Sequence, residues 1–189
     1  MSRLRLFLVA GLALLGAAPA GLAQAPATTP APAPEVNAVA PDFQAPAVDS
    51  AAGAARMVSL KAMRGQVVVL AFYPKDRTSG CTAELSKFRD DYATLFGTGV
   101  VVLPVSLDSI SSHASWAKEM KFPFELVSDV GGSVATLYGT LPPGRSYANR
   151  SVFVIGKDGK IAYRELKFGA LNQQAYDALA AAVAQAKKG

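Results

Sequence analysis

An α/β fold with a central mixed β-sheet flanked by helices is predicted for this chain by the order of its patterns. Two apolar β runs bracket an amphipathic helical stretch, two further β runs are joined by an Asp-Gly turn, and an amphipathic helix closes the chain. Residues 67–73 (VVVLAFY) are a continuous apolar run rich in β-branched and aromatic side chains, as expected of a strand buried on both faces. From Thr82 onward Leu85, Phe88, Tyr92 and Leu95 recur every three or four residues, which predicts a helix with one apolar stripe. Residues 100–106 (VVVLPVS) read as a second buried strand, interrupted only by Pro104. Together these form a strand–helix–strand crossover with Cys81 at the turn into the helix.

Ser111 or Ser112 is expected to cap a helix carrying Trp116, Ala117 and Met120. Leu126 and Val127 then predict a short strand, and residues 134–138 a short helix. Residues 151–155 and 161–166 are β runs joined by Gly156-Lys157-Asp158-Gly159-Lys160, a strong hairpin signal. Asn172 can cap a last helix with Tyr176, Leu179, Val183 and Ala186 on one face. A parallel crossover, a hairpin and a packing helix are the plan of the thioredoxin fold.

The N-terminal region has a different composition. Arg3 and Arg5 precede an uncharged apolar run over residues 6–16, and mostly small residues follow to Ala25. This is the pattern of a secretory signal peptide, residues 1–23, with cleavage after Ala23, and the run is short for a membrane anchor. Residues 24–38, mostly Ala, Pro and Thr at their start, are expected to form a flexible tether. Residues 39–189 are one domain's worth of chain. Export, with a periplasmic location, is the expectation. No cysteine lies near the cut, which excludes a lipid-anchored lipoprotein. The net charge is +5, and without Arg3 and Arg5 there remain 17 basic against 14 acidic residues, scattered along the chain. That distribution gives no support to nucleic-acid binding.

Cys81 is the only cysteine. In an exported chain it has no partner for an internal disulfide, so it reads as a reactive thiol. At the first turn of a helix a thiol meets free N–H groups and the positive end of the dipole, which favour the thiolate.

The residues around it carry a family resemblance. Pro74, Thr78 and Cys81 match the Pro-x-x-x-Thr-x-x-Cys motif of the peroxiredoxins, the AhpC/TSA family. Phe72-Tyr73-Pro74-Lys75-Asp76, Gly80-Cys81-Thr82-Ala83-Glu84 and Phe88-Arg89-Asp90 resemble the peroxiredoxin Q branch, also called bacterioferritin comigratory protein. Arg150, directly before the run 151–155, matches that family's active-site arginine. There are two departures. Ser79 stands where the branch usually has proline, and Ser86 where many members carry a resolving cysteine.

The resemblance implies a thiol-dependent peroxidase acting on hydrogen peroxide and organic hydroperoxides, with no metal and no organic cofactor. The chemistry suits these residues. A thiolate attacks one oxygen of the O–O bond and expels hydroxide or alkoxide, so the site needs an ionised sulfur, a donor that orients the peroxide, and positive potential for the leaving oxygen. Cys81 would be the nucleophile, and Arg150 and the helix start the source of positive potential. Thr78 would hold its hydroxyl beside the sulfur, backbone N–H groups around Gly80 and Cys81 would bind the peroxide, and Pro74 would wall the thiolate from water. With Ser86 in place of a second thiol, reduction of oxidised Cys81 falls to an external thiol or thiol-protein.

Lys75 and Arg77 rank below Arg150, as loop charges are usually solvated. Glu84 is expected to close a capping interaction. His113, the lone histidine, is expected at the surface or in a cap, and one histidine with one cysteine argues against structural zinc. A thiol–disulfide oxidoreductase would need Cys-x-x-Cys, yet positions 78 and 84 are Thr and Glu. The alternative of another class is a scaffold or holdase that uses Cys81 only to link two copies. Sequence leaves the oligomeric state open.

Overall fold

The computed structural model describes residues 32–50 and 54–189. The expected signal peptide and the first part of the expected tether, residues 24–31, lie outside the described residues. Seven strands form one sheet: β1 (Gln44–Val48), β2 (Arg56–Ser59), β3 (Val67–Phe72), β4 (Val100–Ser106), β5 (Leu126–Ser128), β6 (Ser151–Ile155) and β7 (Ile161–Glu165). Their spatial order is β2-β1-β5-β4-β3-β6-β7. β3, β4 and β5 run parallel, and the remaining neighbours pair antiparallel, so the sheet is mixed as expected. The helices are α1 (Ser79–Asp90), α2 (Tyr92–Leu95), α3 (Ile110–Met120), α4 (Ser133–Leu137) and α5 (Gln173–Lys188).

β3 explains the two-sided core. Its six residues are all buried, and alternation sends them to opposite faces. Val67, Val69 and Ala71, with Tyr73 beyond the strand, meet Leu85 and Phe88 of α1, Trp116 of α3, and Tyr176, Leu179 and Val183 of α5. Val68, Leu70 and Phe72 meet Val134 and Ala135 of α4, Tyr138, Phe43 and β1 on the other face.

Two elements were not expected. β1 (QAPAV) and β2 (RMVS) pair as an antiparallel hairpin at one edge, followed by a short 3-10 turn at Lys61–Met63. Alanine and proline hid β1. Its pairing with β5 begins only at Ala47, one residue past Pro46, so the missing proline N–H falls outside that ladder. The cap of α3 also needs correction. Ser109, not Ser111 or Ser112, is the N-cap, and its hydroxyl accepts from the Ser112 N–H at 3.3 Å. Asn172 caps α5 as expected, accepting from the Gln174 N–H at 3.0 Å.

Residues 33–38, part of the expected tether, lie against β7. Arg164 donates to the Ala33 and Pro34 carbonyls at 3.0 and 3.1 Å and pairs with Glu35, and the Asn37 N–H donates to the Ile161 carbonyl at 2.8 Å. No helix among the described residues is long and apolar enough to cross a membrane.

Candidate active site

The site is built where β3 ends. Tyr73 closes the apolar run, residues 74–78 form a loop without regular structure, and α1 begins at Ser79 with Thr78 as its N-cap. Thr78 is extended (φ −71°, ψ 149°), and its carbonyl accepts the first helical bond from the Thr82 N–H at 2.8 Å. The N–H groups before Thr82 therefore have no partner within the helix, which leaves donors and the positive end of the dipole at Cys81.

Cys81 is the third residue of α1 and has no exposed surface. Pairing of Phe72 with Ser151 across β3 and β6 brings Arg150 to the same end of the sheet. There its Nη2 donates to the Cys81 sulfur at 3.3 Å. The neighbouring Nη1 pairs with Glu84 Oε2. Gly80 makes room for the guanidinium: a Cβ at that position would lie 3.3 Å from Arg150 Nη2.

Glu84 is where the site departs from expectation. Its side chain does not cap the helix; it is fully buried, and Oε1 has no hydrogen-bond partner. Burial pushes the carboxyl up to about 7, although the charge and hydrogen bonds of Arg150 pull it down. Burial works against the Arg150 charge, while Glu84 and the sulfur raise that guanidinium above its usual value. A signal for Glu84 existed in the sequence. It shares a helical face with Cys81, Leu85 and Phe88 at spacings of three and four, and a carboxylate on a buried stripe needs a cation.

The other expected residues fall as follows. Thr78 is exposed, and its hydroxyl donates to the Lys75 carbonyl at 3.1 Å, which leaves its lone pairs as acceptors; the recorded donor to the sulfur is Arg150. Pro74 is half-buried at the start of the loop. Lys75 is exposed, and Arg77 is drawn away to Ser115 and Glu119 at 3.0 and 3.1 Å. His113 is neither at the surface nor in a cap: it is fully buried, with Nδ1 against the Asp76 carboxylate at 3.0 Å. Its position on the apolar stripe of α3, three residues before Trp116, was the available signal. Among the described residues no group of three or more His, Cys, Asp or Glu side chains could hold a metal ion.

Comparison with known proteins bears on the family and the fold. The model of the AhpC/TSA family matches residues 36–164. A protein of Coxiella burnetii described as a peroxiredoxin of the bcp kind is 38% identical over 134 residues, covering 68% of this chain and 85% of that one. The chloroplastic peroxiredoxin Q of Sedum lineare is 40% identical over 113 residues, covering 56% of this chain and 58% of its own length. In the solved structures, Enterococcus faecalis AhpC matches with a TM-score of 0.71 at 26% identity, over 81% of this chain and 92% of that one. The peroxidoxin BcpB of Mycobacterium tuberculosis matches with a TM-score of 0.70 at 25% identity, over 80% and 97%.

Proposed function

This chain belongs to the AhpC/TSA family and is a thiol-dependent peroxidase, and we propose that it reduces hydrogen peroxide and organic hydroperoxides in a one-cysteine cycle on Cys81. The observation that carries the reading is the 3.3 Å contact of Arg150 Nη2 with the Cys81 sulfur at the start of α1. A guanidinium and unpaired backbone N–H groups converge there, where a thiolate and then a departing alkoxide need positive potential.

In the oxidative step the Cys81 thiolate forms an S–O bond to the nearer peroxide oxygen. The O–O bond breaks, and the departing hydroxide or alkoxide takes a proton to leave as water or alcohol. Cys81 is oxidised to sulfenic acid and the peroxide is reduced. Thr78 and the Gly80 and Cys81 N–H groups orient the peroxide, and Pro74 closes the side of the loop. With one thiol in the chain, the sulfenic acid is reduced from outside. A first external thiol forms a mixed disulfide and releases water, and a second thiol restores Cys81.

Burial of Cys81 supports this reading over a disulfide-linked scaffold, since two sulfurs without exposed surface cannot meet unless both sites open. The arginines and small residues of positions 1–23 support export with cleavage after Ala23 and a periplasmic location. The Ala, Pro and Thr composition that follows supports a tether over residues 24–38, leading to the segment 33–38 that docks on β7 ahead of the catalytic domain, residues 39–189. Steady-state peroxide consumption tests the cycle. Wild type should turn over with a small dithiol, a monothiol or a reduced thiol-protein as reductant, and Cys81→Ser should be inactive with all three. Absence of wild-type turnover with every reductant would contradict the cycle.

A further inference from the structure

The loop of residues 74–78 carries Pro74 and Thr78, yet neither strand nor helix bonds hold its middle. Side chains fasten it to α3 instead. At the surface Arg77, in the left-handed region at φ 61°, reaches Ser115 and Glu119. Beneath it Asp76 turns inward and is 6% exposed. Its carboxylate accepts from Tyr73 Oη at 2.8 Å, from Ser112 Oγ at 2.6 Å and from His113 Nδ1 at 3.0 Å, while its N–H donates to Asp108 Oδ2 at 2.9 Å. Burial alone would raise the Asp76 carboxyl, but hydrogen bonds and charge from His113, with help from Ser112 and Tyr73, hold it below the usual range.

The other ring nitrogen of His113, Nε2, faces the Val127 carbonyl of β5 at 3.2 Å. A carboxylate and a carbonyl are both acceptors, so the ring satisfies both only with a proton on each nitrogen. His113 thus bridges the active-site loop and the sheet, its ring tilted by 46° to that of Tyr73 with 6.3 Å between centroids. The peroxide step above does not use it.

We propose that His113, acting through Asp76, is a positioning residue for the peroxide reaction, holding the 74–78 loop in register with Cys81. The proposal rests on the peroxidase reading, because the loop matters to rate only if Thr78 and Pro74 border the peroxide. Its physical basis is that small displacements of orienting groups are costly in rate, and that a buried pair hydrogen-bonded on every side is stiffer than a surface loop.

The test has two arms. The chain contains a single histidine, so ring 15N spectra are unambiguous. Wild type should show protons on both ring nitrogens, with a slowly exchanging Nδ1–H that Asp76→Asn perturbs. In the second arm, the second-order rate of Cys81 oxidation by hydrogen peroxide is measured on folded protein well below its melting temperature. Asp76→Asn and His113→Gln should each lower it by about tenfold to a hundredfold. The double variant Asp76→Asn/His113→Gln replaces both groups with neutral amides, so it leaves no unpaired charge in the interior. It should fold and be about as slow as the single variants, because the pair acts as one unit. Wild-type rates in the folded variants would overturn the proposal. So would a double variant that fails to fold, which would make the pair a folding element, or a ring with one bare nitrogen. A wild type inert to peroxide would instead overturn the peroxidase reading and leave the ring spectrum as it is.

Discussion

Glu84 sits one turn beyond Cys81 on α1, and the two side chains contact neighbouring nitrogens of the same guanidinium. Arg150 therefore answers to two groups, one reactive and one structural. Glu84 holds the arginine against the sulfur, and in return the arginine is the partner that lets a carboxylate lie at zero exposure with one oxygen unpaired.

Stability should record this arrangement as a pH dependence. The folded Glu84 carboxyl is raised, by burial first, from the ordinary 4.5 to about 7. Between those values the native state binds more protons than the unfolded state, so stability falls as pH rises. The Glu84 contribution is complete below about 4.5 and lost by about 7, a change on the order of 3 kcal/mol for that shift. Glu84→Gln removes the titration. Melting temperatures between pH 5 and 8 should fall with pH more steeply in wild type than in the variant, and parallel curves would contradict the assignment.

Arg150→Met should lower the rate of Cys81 oxidation by about a hundredfold or more, the usual cost of one lost transition-state donor, and Thr78→Val, which removes an acceptor for the peroxide proton, should lower it as well. Their stabilities should differ. Thr78 is exposed, so its variant should melt near wild type. Arg150→Met leaves Glu84 buried without a cation and should be less stable at pH 8 than at pH 6. Adding Glu84→Gln should restore most of that loss without restoring the rate. Stopped-flow oxidation and thermal melts on the same samples separate the two effects.

Gly80→Ala separates positioning from folding in the opposite direction. Alanine is the better helix former by about 1 kcal/mol, so stability should hold or rise. Its Cβ would lie 3.3 Å from Arg150 Nη2 and push the guanidinium by a few tenths of an ångström. A several-fold slower Cys81 oxidation at unchanged or higher melting temperature is the expected outcome. An unchanged rate would mean that the arginine position is not critical.

Much of the fold was legible because the central strands are nearly pure apolar β runs and the helices keep a clear stripe. The β1–β2 hairpin was not, since Ala45, Pro46 and Ala47 hide a strand whose place depends on pairing with β5. The Cys81, Gly80 and Arg150 constellation follows from a motif plus the Phe72–Ser151 register that completes it. Glu84 and His113 differ from the sequence expectation for one shared reason. Each is polar, near a helix start, and on the inward stripe, and only tertiary partners (Arg150 and Asp76) make such a position tolerable.

Recycling follows from the single thiol. Peroxide without added thiol should carry Cys81 through sulfenic to sulfinic acid on monomer-length chains, since Ser86 offers no sulfur to trap it. A small thiol present during oxidation should appear as a mixed disulfide at Cys81. Non-reducing electrophoresis with intact-mass analysis checks both. Rapid, complete conversion to a covalent dimer that external thiol reopens would point to the disulfide-linked alternative.

The central claim is that the Cys81 sulfur, under Arg150, is the atom that attacks peroxide. The most direct measurement is a single-turnover reaction with protein in excess over hydrogen peroxide, followed by peroxide loss and by peptide mass at residue 81. Wild type should consume peroxide mole for mole as Cys81 gains one oxygen, and Cys81→Ser should consume none above buffer. Equal consumption by the two proteins would contradict the account.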